Sequence, residues 1–290
     1  MQLGFEDMPT RLFACTPSRL TTWQDCPRRY RLTYLDRPSP PKGPPWAHNT
    51  VGAVVHLALA RWWDLPLARR TAPAARGLLE RAWSRPGATA DGFRDPDQAA
   101  RWRGHAGDMV EGYARTLDPS DEPVGVERTV ATKTGTLAVS GRVDRIDRRG
   151  DEVVVVDYKT GRSALTTDDA RGSLALALYA VAAARTLRAA CTTVELHHLP
   201  TGRVLSWQHT TEGLERHVSR AERTAAEIVA ATAALAEGGD PDGLFPARTS
   251  SLCGWCDLSR SCPTGRAASA PQQPWAGLAD ERPSLEDQQV

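Results

Sequence analysis

Two carboxylates and a lysine are the side chains of this sequence best placed to do chemistry. Asp144 lies in Ser140-Gly-Arg-Val-Asp-Arg-Ile-Asp147, and Asp157-Tyr-Lys159 follows the valine run at 153–156. Side chains alternate faces along an extended strand, so Asp157 and Lys159 point the same way at the tip of an apolar strand. With Asp144 arriving from the preceding strand, the two carboxylates can hold a hard divalent cation while Lys159 faces a phosphate or an attacking water. That layout suits hydrolysis of a phosphodiester. The plainer alternative is a strand that ends in a surface Asp and Lys before the Thr160-Gly161 turn. Composition bears on the lysine, because of 36 basic residues only Lys42, Lys133 and Lys159 are lysine and the other 33 are arginine. Where arginine is the default cation, a lysine here suggests a need for a compact, titratable charge.

The elements that must position these groups are legible as periodic segments. A helix carrying Leu20 and Trp23 with Ser18 as its cap is expected first, and Cys26-Pro27 restarts helix with proline in the first turn. The proline-rich stretch 36–45 must be a loop. From about 48, apolar residues at 51, 54, 55, 59 and 62 predict a helix that bears His56. Residues 74–117 read as mostly helical, interrupted at Arg85-Pro-Gly87 and Asp95-Pro96. Strands follow near 124, with Glu127 on the first, then at 136–147 and 152–159, the last two joined at Arg149-Gly150. Asp168 and Asp169 can open a helix running to 187. A strand pair at 194–199 and 204–209 and a long helix at about 212–236 complete the pattern. Glu127 can complete a second metal position, or simply pair with Arg128 or a neighbour.

Six cysteines are read as ligands or buried thiols rather than disulfides. Cys15 and Cys191 have no partner spacing, and Cys191 reads as a core thiol. Cys253-x2-Cys256 is common to zinc and iron–sulfur sites, and the five-residue gap to Cys262 fits a paired zinc ribbon poorly.

Taken together, Gly-Arg-Val-Asp144 and Asp157-Tyr-Lys-Thr-Gly161 resemble the core of the PD-(D/E)XK nucleases, in particular the RecB-like exonuclease branch. Gly52-Ala-Val-Val-His56 is similar to that branch's upstream G-x-x-x-H element, and Tyr179 to the tyrosine of its Q-x-x-x-Y helix. Cys26-Pro27 with Cys253, Cys256 and Cys262-Pro263 is similar to the four-cysteine iron–sulfur staple of AddB and of CRISPR-associated RecB-like nucleases. The resemblance implies an α/β, restriction-endonuclease-like core, a central mixed sheet flanked by helices, with a helical N-terminal insertion and an iron–sulfur clasp joining the chain ends. It implies a nuclease domain over 17–264, with the insertion at about 64–120 and the iron–sulfur segment at 250–263. Residues 1–16 are expected to be a flexible N-terminus and 265–290 a disordered tail.

The resemblance further implies Mg2+ or Mn2+ held by His56, Asp144, Asp157 and the carbonyl of Tyr158, with Lys159 and Tyr179 catalytic. The histidine tilts the preference toward Mn2+. At Cys26, Cys253, Cys256 and Cys262 it implies a [4Fe–4S] cluster, with zinc as the alternative. Arg28, Arg29, Arg31 and Arg171 are the expected DNA contacts. One departure stands out, since Ala175 occupies the place of the family's glutamine and cannot hydrogen-bond a phosphate or base.

The expected function is thus metal-dependent DNA hydrolysis in repair or recombination, on single-stranded DNA or free ends. Alternatives are a DNA-binding subunit of a helicase–nuclease complex with weak or lost catalysis, a CRISPR adaptation nuclease, and a zinc-binding structural protein. None of the three lysines follows a glycine, so a Walker A motif is missing and any unwinding falls to a separate helicase. A net charge of +1 neither advertises nor excludes a polyanionic partner. No stretch is long and apolar enough to span a bilayer and no basic leader precedes an apolar run, which makes the cytoplasm the expected location.

Overall fold

The structure, a computed structural model, describes residues 12–85 and 92–278. In chain order its main elements are β1 (Phe13–Cys15), α1 (Pro17–Asp25), α2 (Pro27–Tyr34), α3 (Ala47–Trp63), α4 (Ala72–Trp83), α5 (Pro96–Ala114), β2 (Gly125–Lys133) and β3 (Leu137–Arg149). They continue with β4 (Glu152–Lys159), α6 (Thr167–Gly172), α7 (Leu174–Leu187), β5 (Thr193–His198), β6 (Arg203–Gln208), α8 (Thr211–Ala236), α9 (Pro241–Leu244) and α10 (Pro263–Ala268). The chain divides into two compact units, one of residues 1–41 with 121–250 and the other of 42–120 with 251–290.

The first unit is a six-stranded mixed sheet in the order β1-β3-β4-β5-β6, with β2 also paired to β3. Two hairpins build its centre. The Thr134–Gly135 turn folds β2 antiparallel onto β3, and the Gly150 turn, at a φ of 60° that glycine adopts freely, folds β4 antiparallel onto β3. β5 joins β4 in parallel after the α6–α7 crossover, as a parallel pair requires. The helix α7 is rich in alanine and leucine and buries Leu174, Leu176, Leu178, Ala180 and Ala183. One apolar cluster joins it to Val130, Val143, Ile146, Val153, Val155 and Val194 of the sheet. A second gathers Leu20, Trp23 and Tyr30 of α1 and α2 with Leu137, Val139, Ile228 of α8 and Phe245.

Strand β3 is longer than any single neighbour. One edge pairs with β2 from Ala138 to Ile146, while the other pairs with β1 at Leu137, Ala138 and Val139 and with β4 only from Arg145 onward. Residues 140–144 of that second edge therefore have no strand partner among the described residues, which leaves a fork in the sheet. Val143 and Ile146, three residues apart, belong to the same apolar cluster. Strict alternation would send them to opposite faces, so the strand shifts its facing by one residue at this level.

The second unit is helical. Its α3 buries Val51, Val54, Val55, Ala58, Leu59 and Trp62 at the three- and four-residue spacing of one helix face, and α4 and α5 contribute Leu79 and Val110 to the buried set. The nearly buried guanidinium of Arg70 donates to the carbonyls of Leu65, Trp63 and Pro119 at 2.9–3.1 Å. No helix among the described residues is long and apolar enough to cross a membrane.

Several boundaries differ from expectation. Residues 13–15 form a strand instead of flexible chain, because β3 offers them an open edge; residues 1–11 of that expectation lie outside the described residues. Thr16, not Ser18, caps α1, accepting the Arg19 N–H. The helix expected from 168 to 187 breaks at Ser173, whose hydroxyl caps α7 by accepting the Leu176 N–H. Residues 265–278 are not a loose tail, since α10 spans part of them and the Leu278 carbonyl accepts from Trp102 Nε1 at 3.0 Å; residues 279–290 lie outside the described residues. Residues 42–120 form one compact unit with the cysteine segment.

A polar network ties β3 to β5. Arg149 donates twice to the buried Glu195 carboxylate, at 2.6 and 2.9 Å, and His197 Nε2 lies 2.9 Å from the same group. Burial alone would raise the Glu195 carboxyl, but the His197 and Arg149 hydrogen bonds outweigh it and bring the value down to about 2. A depressed carboxyl contributes stability above its unfolded value near 4.5 and loses it as pH falls toward 2. Arg149→Met is expected to destabilise the protein by about 1–3 kcal/mol at pH 7, measured by urea unfolding, with the gap to wild type closing as the pH is lowered through that window.

Candidate active site

Hairpin register brings three acids to one level of three neighbouring strands. In the β2–β3 ladder the pairs Val126–Arg145 and Arg128–Val143 bracket Glu127 and Asp144, which stand opposite each other although the ladder skips them. Carried one residue past the Arg145–Val156 pair, the β3–β4 register sets Asp144 opposite Asp157. A carboxylate oxygen of Glu127 lies within 4.8 Å of one from Asp144. Glu127 also adopts a φ of 48°, a left-handed conformation that a side chain with a Cβ rarely takes. Such strain costs on the order of 1–3 kcal/mol and collects where a site over-determines the backbone. It explains the skipped rung and re-aims the Glu127 side chain.

Asp144 is fixed from behind. Its Oδ2 accepts the Tyr158 backbone N–H at 2.8 Å, so the carboxylate spans the fork where β3 and β4 part. Asp157 and Lys159, on one face of β4 as the alternation demands, form an ion pair with Nζ 2.6 Å from Oδ2. The strand end itself is pinned. His198, opposite Lys159 in the β4–β5 ladder, has Nε2 2.7 Å from the Gly161 carbonyl and Nδ1 2.7 Å from the Thr201 hydroxyl. The Leu199 N–H donates to the Lys159 carbonyl at 2.9 Å.

Tyr179 overhangs this group from α7. It packs so closely on Gly141 that a Cβ there would collide with its Cε1 and sit 3.1 Å from its hydroxyl oxygen. This gives the glycine of Gly-Arg-Val-Asp144 a steric role. The Tyr179 phenol is pushed above its ordinary value, first by burial and then by the charges of Asp157 and Asp144. It is therefore a neutral hydrogen-bonding group near both acids. Ala175 lies one helical turn before it on the same helix.

Of the remaining expected site residues, His56 lies on α3, in the second unit. Glu127 pairs with Arg142 across the hairpin at 2.5 Å rather than with Arg128, whose guanidinium donates to the Val124 carbonyl. Arg28 and Arg31, mostly buried, reach Asp242 at 3.0 and 3.3 Å and tie α2 to α9. The Arg29 N–H donates to Cys26 Sγ at 3.5 Å, so Cys26 caps α2. Arg171 pairs with Asp168 at 3.0 Å on exposed α6.

Cys253, Cys256 and Cys262 belong to the second unit, Cys26 to the first. Around Gly265 a Cβ would stand 3.2 Å from Cys262 Sγ and 3.7 Å from Cys253 Sγ, so these two sulfurs lie beside one backbone position. Burial pushes the Cys15 thiol up to about 11 and the Cys191 thiol up to about 12, which keeps both as inert core residues.

Sequence reasoning left Glu127 with two roles. The signal that separates them is hairpin symmetry, since Glu127 and Asp144 are equidistant from the Gly135 turn as Asp144 and Asp157 are from the Gly150 turn. The positions of His198 and of the Gly141–Tyr179 contact had no comparable signal.

A family profile described as the PD-(D/E)XK nuclease superfamily matches residues 14–263. No curated protein matches the chain. Among solved structures, one titled "Crystal structure of SSO0001" is similar at 14% identity, covering 89% of this chain and 90% of that one, with a TM-score of 0.35. A likeness at that score carries no structural argument.

Two outcomes test the site geometry. Gly141→Ala is expected to lower stability by about 1–3 kcal/mol by overpacking, read as a fall in the thermal midpoint, and Tyr179→Ala in the same chain is expected to recover most of it. In an ultraviolet phenol titration, Asp157→Asn is expected to bring the raised Tyr179 value down, because it removes the larger of the two charges opposing the tyrosinate.

Proposed function

Because the chain belongs to the PD-(D/E)XK nuclease superfamily, we propose that it hydrolyses phosphodiester bonds in DNA at the β3–β4 fork, with a divalent cation. The observation that carries this reading is the levelling of Glu127, Asp144 and Asp157 on three adjacent strands beside Lys159. Oxygen donors so arranged suit Mg2+ or Mn2+. We assign Asp144, Asp157 and the Tyr158 carbonyl as ligands, with His56 as a further ligand that favours Mn2+ and Glu127 beside Asp144. Once bound, the metal supplies charge neutralisation on the phosphate and a water of lowered pKa. The protein's own groups do the rest. The Tyr158 N–H holds Asp144 in its ligating orientation, and Asp157 holds the Lys159 ammonium where it can orient the water and offset charge developing on the phosphate. Tyr179, kept as a neutral phenol, closes one side of the site and can donate to a phosphate oxygen.

At the finer level, we read the chain as a RecB-like exonuclease of DNA repair or recombination, served by a separate helicase. Cys26, Cys253, Cys256 and Cys262 are assigned to a [4Fe–4S] cluster, with zinc as the alternative; the sulfurs gathered at Gly265 support a thiolate site. A second reading, a DNA-binding subunit with weak catalysis, draws on Ala175, which leaves the helix bearing Tyr179 without the family's amide.

The test is cleavage of end-labelled single- and double-stranded DNA with Mn2+ or Mg2+. Asp157→Ala and Lys159→Ala are each expected to slow cleavage by about 100-fold or more. Equal cutting by wild type and both variants, or no cutting with any metal, defeats the enzymatic reading. An absorption spectrum of anaerobically purified protein is expected to show the broad visible band of an iron–sulfur cluster; a colourless protein carrying stoichiometric zinc contradicts that assignment.

A further inference from the structure

A cavity of about 360 Å³ lies between α6, the end of β6 and the first turns of α8, all within the unit that carries the catalytic sheet. Four arginines line it, Arg171, Arg216, Arg220 and Arg223, and no acidic side chain does. In a chain whose 36 basic and 35 acidic residues nearly balance, that is a concentrated local excess of positive charge. Acids stand outside this lining but beside it: Asp168 pairs with Arg171, and Glu212 and Glu215 line a neighbouring cavity together with Arg216 and Arg223. Arg220 also donates to the Gln24 side chain at 3.2 Å.

Trp207, His209 and His217 supply the remaining character of the cavity. The Arg171 guanidinium stacks 5.5 Å above the Trp207 ring, which holds a cation and an aromatic face together at the rim. His209 is 95% buried, yet its Nε2 has no hydrogen-bond partner. Buried polar atoms are nearly always satisfied, so this one signals a missing ligand or water. His217 meets His209 edge to face at 5.3 Å. Burial is the first cause that holds both imidazoles below their ordinary value; His217 adds to it at His209, while at His217 a hydrogen bond with the Arg171 backbone opposes it and the charges of Arg220 and Arg216 add to it. Thr210 caps α8, a 26-residue helix whose positive end opens here.

Arg216, Arg220 and Arg223 follow one another at four- and three-residue intervals along one face of α8, a row of about 10 Å. That is longer than a single phosphate and matches an extended polyanion. In the sheet order β6 is two strands, about 10 Å sideways, from β4, and the ladders set Gln208 level with Val154, three residues or about 10 Å along β4 from Asp157. One strand of nucleic acid can therefore lie across both places.

We propose that this cavity is a second DNA contact, which grips backbone phosphates of a strand whose neighbouring segment occupies the β3–β4 fork. The choice of DNA as the source of the phosphates rests on the nuclease reading, whereas the anion site itself rests on the arginines, His209 and the α8 terminus. The strand passes along the arginine row with a base free to stack at the Trp207–Arg171 rim.

The test compares wild type with Arg216→Ala/Arg223→Ala and with the charge-retaining Arg216→Lys/Arg223→Lys, each checked for folding by circular dichroism. Affinity for a labelled single-stranded oligonucleotide is measured by fluorescence anisotropy in EDTA over a salt series. Hydrolysis of thymidine 5′-(p-nitrophenyl phosphate) with Mn2+ reports the metal site alone. The alanine pair is expected to weaken oligonucleotide binding about tenfold or more and to make the salt slope shallower by about one to two. The lysine pair is expected to keep most of both, and the small substrate to be turned over at the wild-type rate. Unchanged affinity and slope in the alanine pair overturn the proposal. So does a loss of inorganic phosphate binding with oligonucleotide binding intact, which would make the cavity a small-anion site. If the lysine pair binds as weakly as the alanine pair, the charge argument fails as well. Should wild type not hydrolyse the small substrate, the nuclease reading falls while the anisotropy series still decides the contact.

Discussion

The parting of β3 from β4 beyond the Arg145–Val156 pair is the constraint on which the site depends. Had the ladder continued, Tyr158 would have spent its N–H within the sheet and Asp144 would have stood on an ordinary strand. Because the strands diverge, the Asp144 carboxylate accepts that N–H instead and bridges the gap. A buried donor is satisfied, and an acid is held at a fixed height. The left-handed Glu127 is the matching irregularity on the other edge of β3. Two local departures from sheet geometry thus concentrate negative charge where a regular sheet would have dispersed it.

Gathering like charges is costly, and the surrounding structure is built to bear it. Lys159 offsets Asp157 directly, and Arg142 offsets Glu127. Beyond the fork, Arg145 reaches Asp147 at 2.9 Å and lies over the Tyr158 ring, while Arg149 and His197 hold Glu195. These pairs lock β3, β4 and β5 together, and His198 fixes the loop after Lys159. The apolar α7 then seats Tyr179 on Gly141, so a helix packed for stability also sets a phenol near both acids. A cation at the fork would neutralise charge that the fold assembles without it.

The hairpins and α7 were legible because their patterns are local: alternating apolar residues, turn glycines, and an alanine–leucine run. Asp157 and Lys159 on one face followed from strand period alone. The break at Ser173 was hidden because a serine within an apolar run can either continue a helix or cap the next one, and only the hydroxyl's contact decides. β1 was missed because three residues carry no period and the edge of β3 that recruits them is far away in sequence. The pairing of Arg28 and Arg31 with Asp242 had no local signal, since that acid lies more than 200 residues downstream. The segregation of residues 42–120 with the cysteine segment is a property of packing, not of any motif.

Direct titration of the protein with Mn2+, followed by the electron paramagnetic resonance signal of free ion, tests the central claim without reference to any substrate. A fork of carboxylates predicts stoichiometric binding by wild type, weakened at least about tenfold, or about 1.4 kcal/mol, in Asp144→Asn with the fold intact. Equal binding by both proteins, or none by wild type, would contradict the account.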